Sequence, residues 1–592
     1  MIASGCRGSF GPLRTIMRRA YQLRALAQTA NINAMTRYVA TLLSAGILLS
    51  ACASAPAPSS EISFSARSWP EAAPAPCSLS ESGAARLGIS RIEAVDELTV
   101  RFTLCAPDPA FTQKLAVTNF GVSDSGWLAA AIEDGSLTSS ANGTGPLALS
   151  AWEQGVQIVL TRNDSYWGDR AASERVVIQW EPESAARLLQ LRAGTVDAID
   201  NLAPTDEATT AADASLALLT RPGFNTFYLN FNNRFAPVND VRVRQAIAMA
   251  LDRQRIVDLF YPAGSTLATH VPPCVIEGAC VGDDWYAQDQ VTARALLAAA
   301  GYPNGLDLTL SLRETPRAYL PDPVAVATDI QAQLATVGIR VTLDVQEAGG
   351  YIGKLLSGEL RGASFSAALP DYPEAWNSLG IDFGSTSGPA HGDQYPQLVT
   401  LLDQAQREPD PAARGALFTQ INNEIRAQVP VVPIANGASL IAARSTVRGL
   451  VASPVAMERF DRVSVEGSNT FTWLQGGEPA GLYCMDEEDR EAVRICAQVM
   501  EGLYGYVAGG TAAEPRLATA CVPSADGLVV ECALRSGVRF HNGARLDAGD
   551  VLDSFAAAWD CAHPLHVGRT GDFRGWSWIM GTLNLEACTT PQ

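Results

Sequence analysis

Positive charge is in short supply in this 592-residue chain: 43 Lys and Arg stand against 62 Asp and Glu, a formal net charge of −19 and a pI near 4.8. Nucleic-acid binding needs concentrated cations that displace phosphate counterions, so that class is excluded, and the acidic surplus reads as a solubilising surface. Histidine is scarce, with only His270, His391, His541, His563 and His566. No His-Glu-x-x-His helix and no Gly-x-Ser-x-Gly elbow occurs, which removes the local signatures of zinc and serine hydrolases, although a triad assembled in space needs neither. Cys-x2-Cys pairs are absent, and His563-Pro-Leu-His566 has a proline that disfavours a helix and no adjoining carboxylate cluster, so no metal is expected. The loop Gly143-Thr-Gly145-Pro146 lacks the third glycine of a dinucleotide loop and the Gly-Lys-Ser/Thr of a P-loop, so no nucleotide cofactor is expected.

Long apolar runs are also missing. Residues 38–49 form a run of about a dozen, too short for a bilayer core of about 30 Å. That run follows Met35-Thr-Arg37 and leads into Leu49-Ser-Ala-Cys52 and an Ala/Pro/Ser tract, the pattern of a bacterial lipoprotein signal. The expectation is translation from Met35, cleavage before Cys52, lipid on Cys52, and a protein outside the cytoplasm, anchored to the cell membrane. Residues 53–86 read as a flexible tether. Setting aside Cys6 and Cys52 leaves ten cysteines in an oxidising compartment, where pairing is the default. Close spacing pairs Cys274 with Cys280, Cys484 with Cys496, and Cys521 with Cys532, the last flanking a hairpin turn at Ser524-Ala-Asp-Gly527.

With 47% hydrophobic and 18% charged residues the chain folds, and its length suggests about four lobes. Strand patterns at residues 89–104, 147–152, 156–162, 177–180, 226–231, 306–312 and 341–345 alternate with helix patterns at 183–193, 241–260, 291–300 and 323–337. That alternation predicts an α/β fold with mostly covered sheets.

Tyr228-Leu-Asn-Phe-Asn232, Val241-Arg-Val-Arg-Gln-Ala-Ile247 and Ala250-Leu-Asp-Arg253 resemble the central block of the family 5 extracellular solute-binding proteins, the dipeptide and oligopeptide receptors of ABC importers. Glu501-Gly-Leu-Tyr504, Leu534-Arg-Ser-Gly-Val-Arg-Phe-His-Asn-Gly543 and Leu546-Asp-Ala-Gly-Asp-Val551 resemble the family's opening block, yet they stand last. The resemblance implies a type II periplasmic-binding-protein-like fold, two lobes with a hinge and a smaller subdomain, here circularly permuted. Joining residue 584 to about residue 87 restores the usual order, and residues 465–470 then bridge the old termini. The expected division is a signal at 1–52, the tether at 53–86, small-subdomain parts at 87–145 and 511–592, first-lobe parts at 146–235 and 446–510, and the second lobe at 236–445. Closure of the permuted domain predicts a Cys77–Cys588 disulfide, leaving Cys105 with Cys561.

By the same resemblance, Asp371 matches the acidic residue that receives a peptide's ammonium, and Arg317 the arginine that receives its carboxylate. Burying a zwitterion requires such opposite partners. Pro373-Glu374-Ala375 departs from the Asp-Pro-Asp common in relatives, which puts the cleft geometry in question. Trp376, Tyr372, Tyr319 and Trp473 are the aromatic candidates for the pocket, while Tyr166-Trp167 and Phe540-His541 read as structural. The implied function is an extracytoplasmic receptor, not an enzyme, that captures peptides or similar solutes and delivers them to ABC permease subunits with cytoplasmic ATPases. An exported hydrolase and a truncated tandem binding protein are the alternatives.

Overall fold

Aspartate opens many of the helices. Asp240, Asp252, Asp289, Asp322, Asp410, Asp489 and Asp547 each cap a helix by accepting from backbone N–H groups of its first turn, where a negative charge also meets the positive end of the helix dipole. One cap corrects the reading of a single helix over 241–260. Leu251 is extended and Asp252 accepts from Arg255 N, so two helices form, Val241–Ala250 and Arg253–Phe260.

The computed structural model describes residues 64–77 and 88–588. Met35, Cys52 and the signal lie outside the described residues. Within them, three principal sheets carry the fold. A six-stranded sheet runs in the order Thr266–Leu267, Val431–Asn436, Thr226–Phe231, Ala363–Ala368, Leu306–Arg313, Ile339–Gln346. All six residues of Thr226–Phe231 are buried, as a strand covered on both faces requires. A seven-stranded sheet runs Leu147–Glu153, Gln157–Arg162, Arg175–Trp180, Thr470–Gln475, Ala198–Leu202, Ser439–Arg444, Leu216–Arg221. Its middle strand, Thr470–Gln475, comes from the late part of the chain and lies parallel to both neighbours. A five-stranded antiparallel sheet joins Arg67–Trp69, Ile89–Asp96 and Thr99–Leu104 to Val529–Leu534 and Ala518–Pro523. Both ends of the described chain therefore build one subdomain, and its core unites Ile92, Val100 and Phe102 with Phe555 and Trp576.

Sheet membership moves the expected lobe boundaries by about ten residues. Thr226–Phe231, assigned to the first lobe, belongs to the six-stranded sheet, and Ser439–Arg444, assigned to the second, belongs to the seven-stranded one. The tether reading is also corrected for residues 64–77. Arg67–Trp69 pairs with Ile89–Asp96, and the Trp69 indole donates to Asp560 Oδ2 at 2.9 Å.

Three disulfides pair as their spacing suggests: Cys274–Cys280, Cys484–Cys496 and Cys521–Cys532. The other two correct the expectation. Cys77 bonds Cys105 and Cys561 bonds Cys588, so no covalent bond joins the two new ends. Each bond instead closes a loop of 28 or 27 residues beside the subdomain. The ends are nevertheless adjacent: an ideal Cβ on Gly88 would lie 3.4 Å from Met580 O, and Leu583 pairs with Asp560. Residues 465–468 form a tight turn closed by Ser468 N donating to Val465 O at 3.1 Å, with Gly467 at φ 78°, the left-handed position that favours glycine.

Candidate ligand-binding site

Two crossings join the seven- and six-stranded sheets, one at residues 222–225 and the other at 437–438. They are clamped side by side. Asn225 Nδ2 donates to Gly437 O at 2.8 Å, and Gly437 N donates back to Asn225 Oδ1 at 2.9 Å. Asn436 Nδ2 donates to Asn225 O and to Thr226 Oγ1, both at 2.8 Å. A Cβ on Gly437 would sit 2.3 Å from Ala318 O, so only glycine lets this crossing approach the loop at 313–321. Paired short crossings between two sheets are the geometry of a hinge.

Against this hinge lies a cavity of about 650 Å³, a size suited to a small-molecule ligand. Residues 201–204, 454–456 and Arg490 line it from the first lobe, and Arg313, Arg317, Tyr319 and Leu369 from the second. Six of the lining residues are prolines (Pro204, Pro222, Pro262, Pro316, Pro321 and Pro454), which offer no N–H to a ligand. Four are arginines (Arg221, Arg313, Arg317 and Arg490), and none is Asp or Glu.

Of these arginines only Arg221 is neutralised. Its guanidinium, 3% exposed, lies 3.0 Å from Asp200 and 2.9 Å from Glu458. Beneath it Arg494, 1% exposed, reaches Asp200 at 2.8 Å and Glu458 at 3.7 Å. Burial alone would raise the Asp200 carboxyl, but Arg494 and Arg221 beside it win and hold it well below its ordinary range. Arg313 donates to the Tyr319 hydroxyl at 2.6 Å, and Arg317 donates to Pro316 O at 3.0 Å. Neither of these, nor Arg490, forms an ion pair with a carboxylate among the described residues. Desolvation pushes the Arg490 guanidinium below its ordinary value, with the nearby cations Arg221 and Arg494 adding to the effect and Asp200 opposing it.

Of the residues singled out from the sequence, Arg317 and Tyr319 stand in the cavity wall. Asp371 does not line it. That side chain is exposed two positions beyond the lining residue Leu369, and its backbone N–H donates to Asn377 Oδ1 at 2.6 Å. Crowding by surrounding protein raises the Asp371 carboxyl, Asn377 lowers it, and Glu488 adds to the rise. The other three aromatic candidates stand outside the cavity wall. Trp473 is 0% exposed on the central strand Thr470–Gln475, against Phe460 and Phe471. Tyr372, 3% exposed, belongs to the small-subdomain core, its ring 5.6 Å from Lys114 Nζ. Trp376 packs on the second-lobe core and donates from its indole to Leu402 O at 3.1 Å. Arg221, Arg313 and Arg490 are the wall residues that sequence reasoning misses. The one available signal is Arg313 itself, four positions before Arg317 in the same block.

The family model described as bacterial extracellular solute-binding proteins, family 5, middle, matches residues 58–390. The chain is 30% identical over 392 residues to di/tripeptide-binding protein 1 of Pseudomonas aeruginosa, covering 64% of this chain and 71% of the relative. It is 29% identical over 386 residues to heme-binding protein A of Haemophilus influenzae, covering 64% and 70%. Among solved structures it is similar to HbpA2 from Haemophilus parasuis, with a TM-score of 0.60, 27% identity and coverage of 64% of this chain and 76% of that one. Matched over more than half of its length, and built as two sheet lobes about a hinge cavity, the chain belongs to the bacterial extracellular solute-binding proteins of family 5.

Proposed function

We propose that this protein is the lipid-anchored receptor of an ABC importer, held at the membrane through Cys52, that captures a peptide or similar small solute between its lobes and presents it to the permease. The observation that carries this reading is the cavity of about 650 Å³ at the double crossing, walled from both lobes. A ligand touching both walls favours the closed arrangement by its differential contacts, which is how capture becomes a signal to a permease. Arg317 in the wall serves a carboxylate, and Asp371 beside the cleft serves an ammonium once the lobes close. Calorimetry of the intact protein with pooled di- and oligopeptides is expected to show saturable binding of one ligand per chain, recovered uncleaved. The Arg317→Ala variant is expected to bind at least about tenfold more weakly. Absence of binding by the folded protein would refute the peptide reading, and cleaved peptide would favour a hydrolase instead.

The receptor is, in the same proposal, a circular permutant of the family order. Support comes from Gly88, where an added Cβ would lie 3.4 Å from Met580 O, from the four-residue turn at 465–468, and from late strands that complete both the seven- and five-stranded sheets. A chain relinked from residue 584 to residue 88 and opened between 466 and 469 is expected to unfold within about 5 °C of the parent and to keep its ligand. A relinked chain that is insoluble or lacks the parent's circular dichroism would count against it.

A further inference from the structure

We infer that the ligand carries at least two anionic groups, in peptide form an acidic dipeptide, because three cleft arginines line one cavity and none of them forms an ion pair with a carboxylate among the described residues. The inference rests on the receptor reading above and narrows it. Arg221, the fourth arginine, is already spent: with Arg494 it meets Asp200 and Glu458, two cations against two anions, and this set adds no net charge. Arg313, Arg317 and Arg490 remain, drawn from both lobes. They stand in a chain whose overall charge is −19, so the cationic lining runs against the protein's own composition.

Like charges gathered between low-dielectric walls repel one another when the cleft closes, and closure on a neutral or singly charged solute leaves part of that repulsion unanswered. Two or more carboxylates remove it, and guanidinium presents two parallel donors to each. The six prolines of the wall offer an anion no backbone N–H. The hydrogen bond from Arg313 to the Tyr319 hydroxyl fixes one guanidinium edge in advance, which lowers the ordering cost of binding.

The test is calorimetry on the intact protein with four probes, Ala-Ala, Glu-Glu, Lys-Lys and citrate, at low and high salt. Glu-Glu is expected to bind at least about tenfold more tightly than Ala-Ala, with the gap narrowing in salt, and Lys-Lys to bind most weakly. Arg490→Gln and Arg313→Gln, each checked for an unchanged circular dichroism spectrum, are expected to weaken Glu-Glu at least about tenfold. Using two variants in different lobes keeps the test intact if one fails to fold. Ala-Ala binding as tightly as Glu-Glu would overturn the inference and leave the receptor reading standing. Citrate binding with no dipeptide binding would support the inference and overturn the peptide reading. Silence from all four probes with folded protein would overturn both.

Discussion

Replacing Arg494 with methionine is expected to destabilise the protein by about 3–5 kcal/mol, because it strips one cation from a buried set and leaves Asp200 and Glu458 sharing Arg221 alone. The guanidinium is 1% exposed and Glu458 is 0% exposed, so water does not replace the lost partner. Arg494 also lies over the Trp473 ring at 5.2 Å, an interaction methionine keeps only as packing. Thermal unfolding of the variant reads the effect, and a midpoint indistinguishable from the parent's would show that the set contributes nothing. The pH dependence has a definite sign. Asp200 is held below its ordinary carboxyl value by Arg494 and Arg221 against burial, so its contribution is present above about pH 4 and is lost as pH falls through the depressed folded value. The difference between parent and variant therefore shrinks in strong acid.

Glu501→Ala is expected to cost about 3 kcal/mol, since one buried and two half-buried donors lose their acceptor together, at about 1–3 kcal/mol for a buried one and less where water can reach. Glu501 accepts from the Tyr166 hydroxyl at 2.7 Å, the Trp167 indole at 2.9 Å and the Thr144 hydroxyl at 2.9 Å. It stands just past the helix Arg490–Val499, where its own carbonyl accepts from Val122 N at 2.9 Å. One side chain thus ties the loop after Gln157–Arg162 to the segment leading into the small subdomain. The pH sign here is opposite. Burial raises the Glu501 carboxyl more than its three donors and Arg459 lower it, so its contribution is full below about pH 4 and declines as pH rises through the raised folded value. Denaturant unfolding at pH 5 and pH 8 checks both size and sign, and a larger variant penalty at pH 8 would contradict the account.

Local pattern made much of the fold legible. Thr226–Phe231 is a run of aromatic and aliphatic residues bounded by turn-forming ones, and its six buried positions match it residue for residue. Cys521 and Cys532 flank a turn, and in the hairpin they are direct partners. What escaped depends on contacts distant in sequence. The break at Leu251 is set by one capping aspartate, which hydrophobic periodicity cannot see. Arg67–Trp69 looks like tether because a three-residue edge strand has no periodicity of its own and is held by Asp560, nearly 500 positions away. Closure of the ends suggests a bond between Cys77 and Cys588, but proximity of segments does not choose among four cysteines, and each bonds within its own side of the gap. In the site, Trp473 shares its residue type with ligand-stacking aromatics, and only its place on the central strand makes it core. The cleft arginines come from three separate stretches of chain, and no single motif gathers them.

A strand made late but seated at the centre of a sheet sets a timetable for synthesis. Thr470–Gln475 separates Arg175–Trp180 from Ala198–Leu202, so until the ribosome passes residue 475 the seven-stranded sheet is two unjoined halves. The small subdomain waits longer still, for Val529–Leu534 to cover the exposed edge of Thr99–Leu104. Only the six-stranded lobe, whose strands all lie between residues 226 and 436, is complete before then. A nascent chain of this design keeps two of its three principal sheets open for most of its translation, so their cores close only when nearly the whole chain is available.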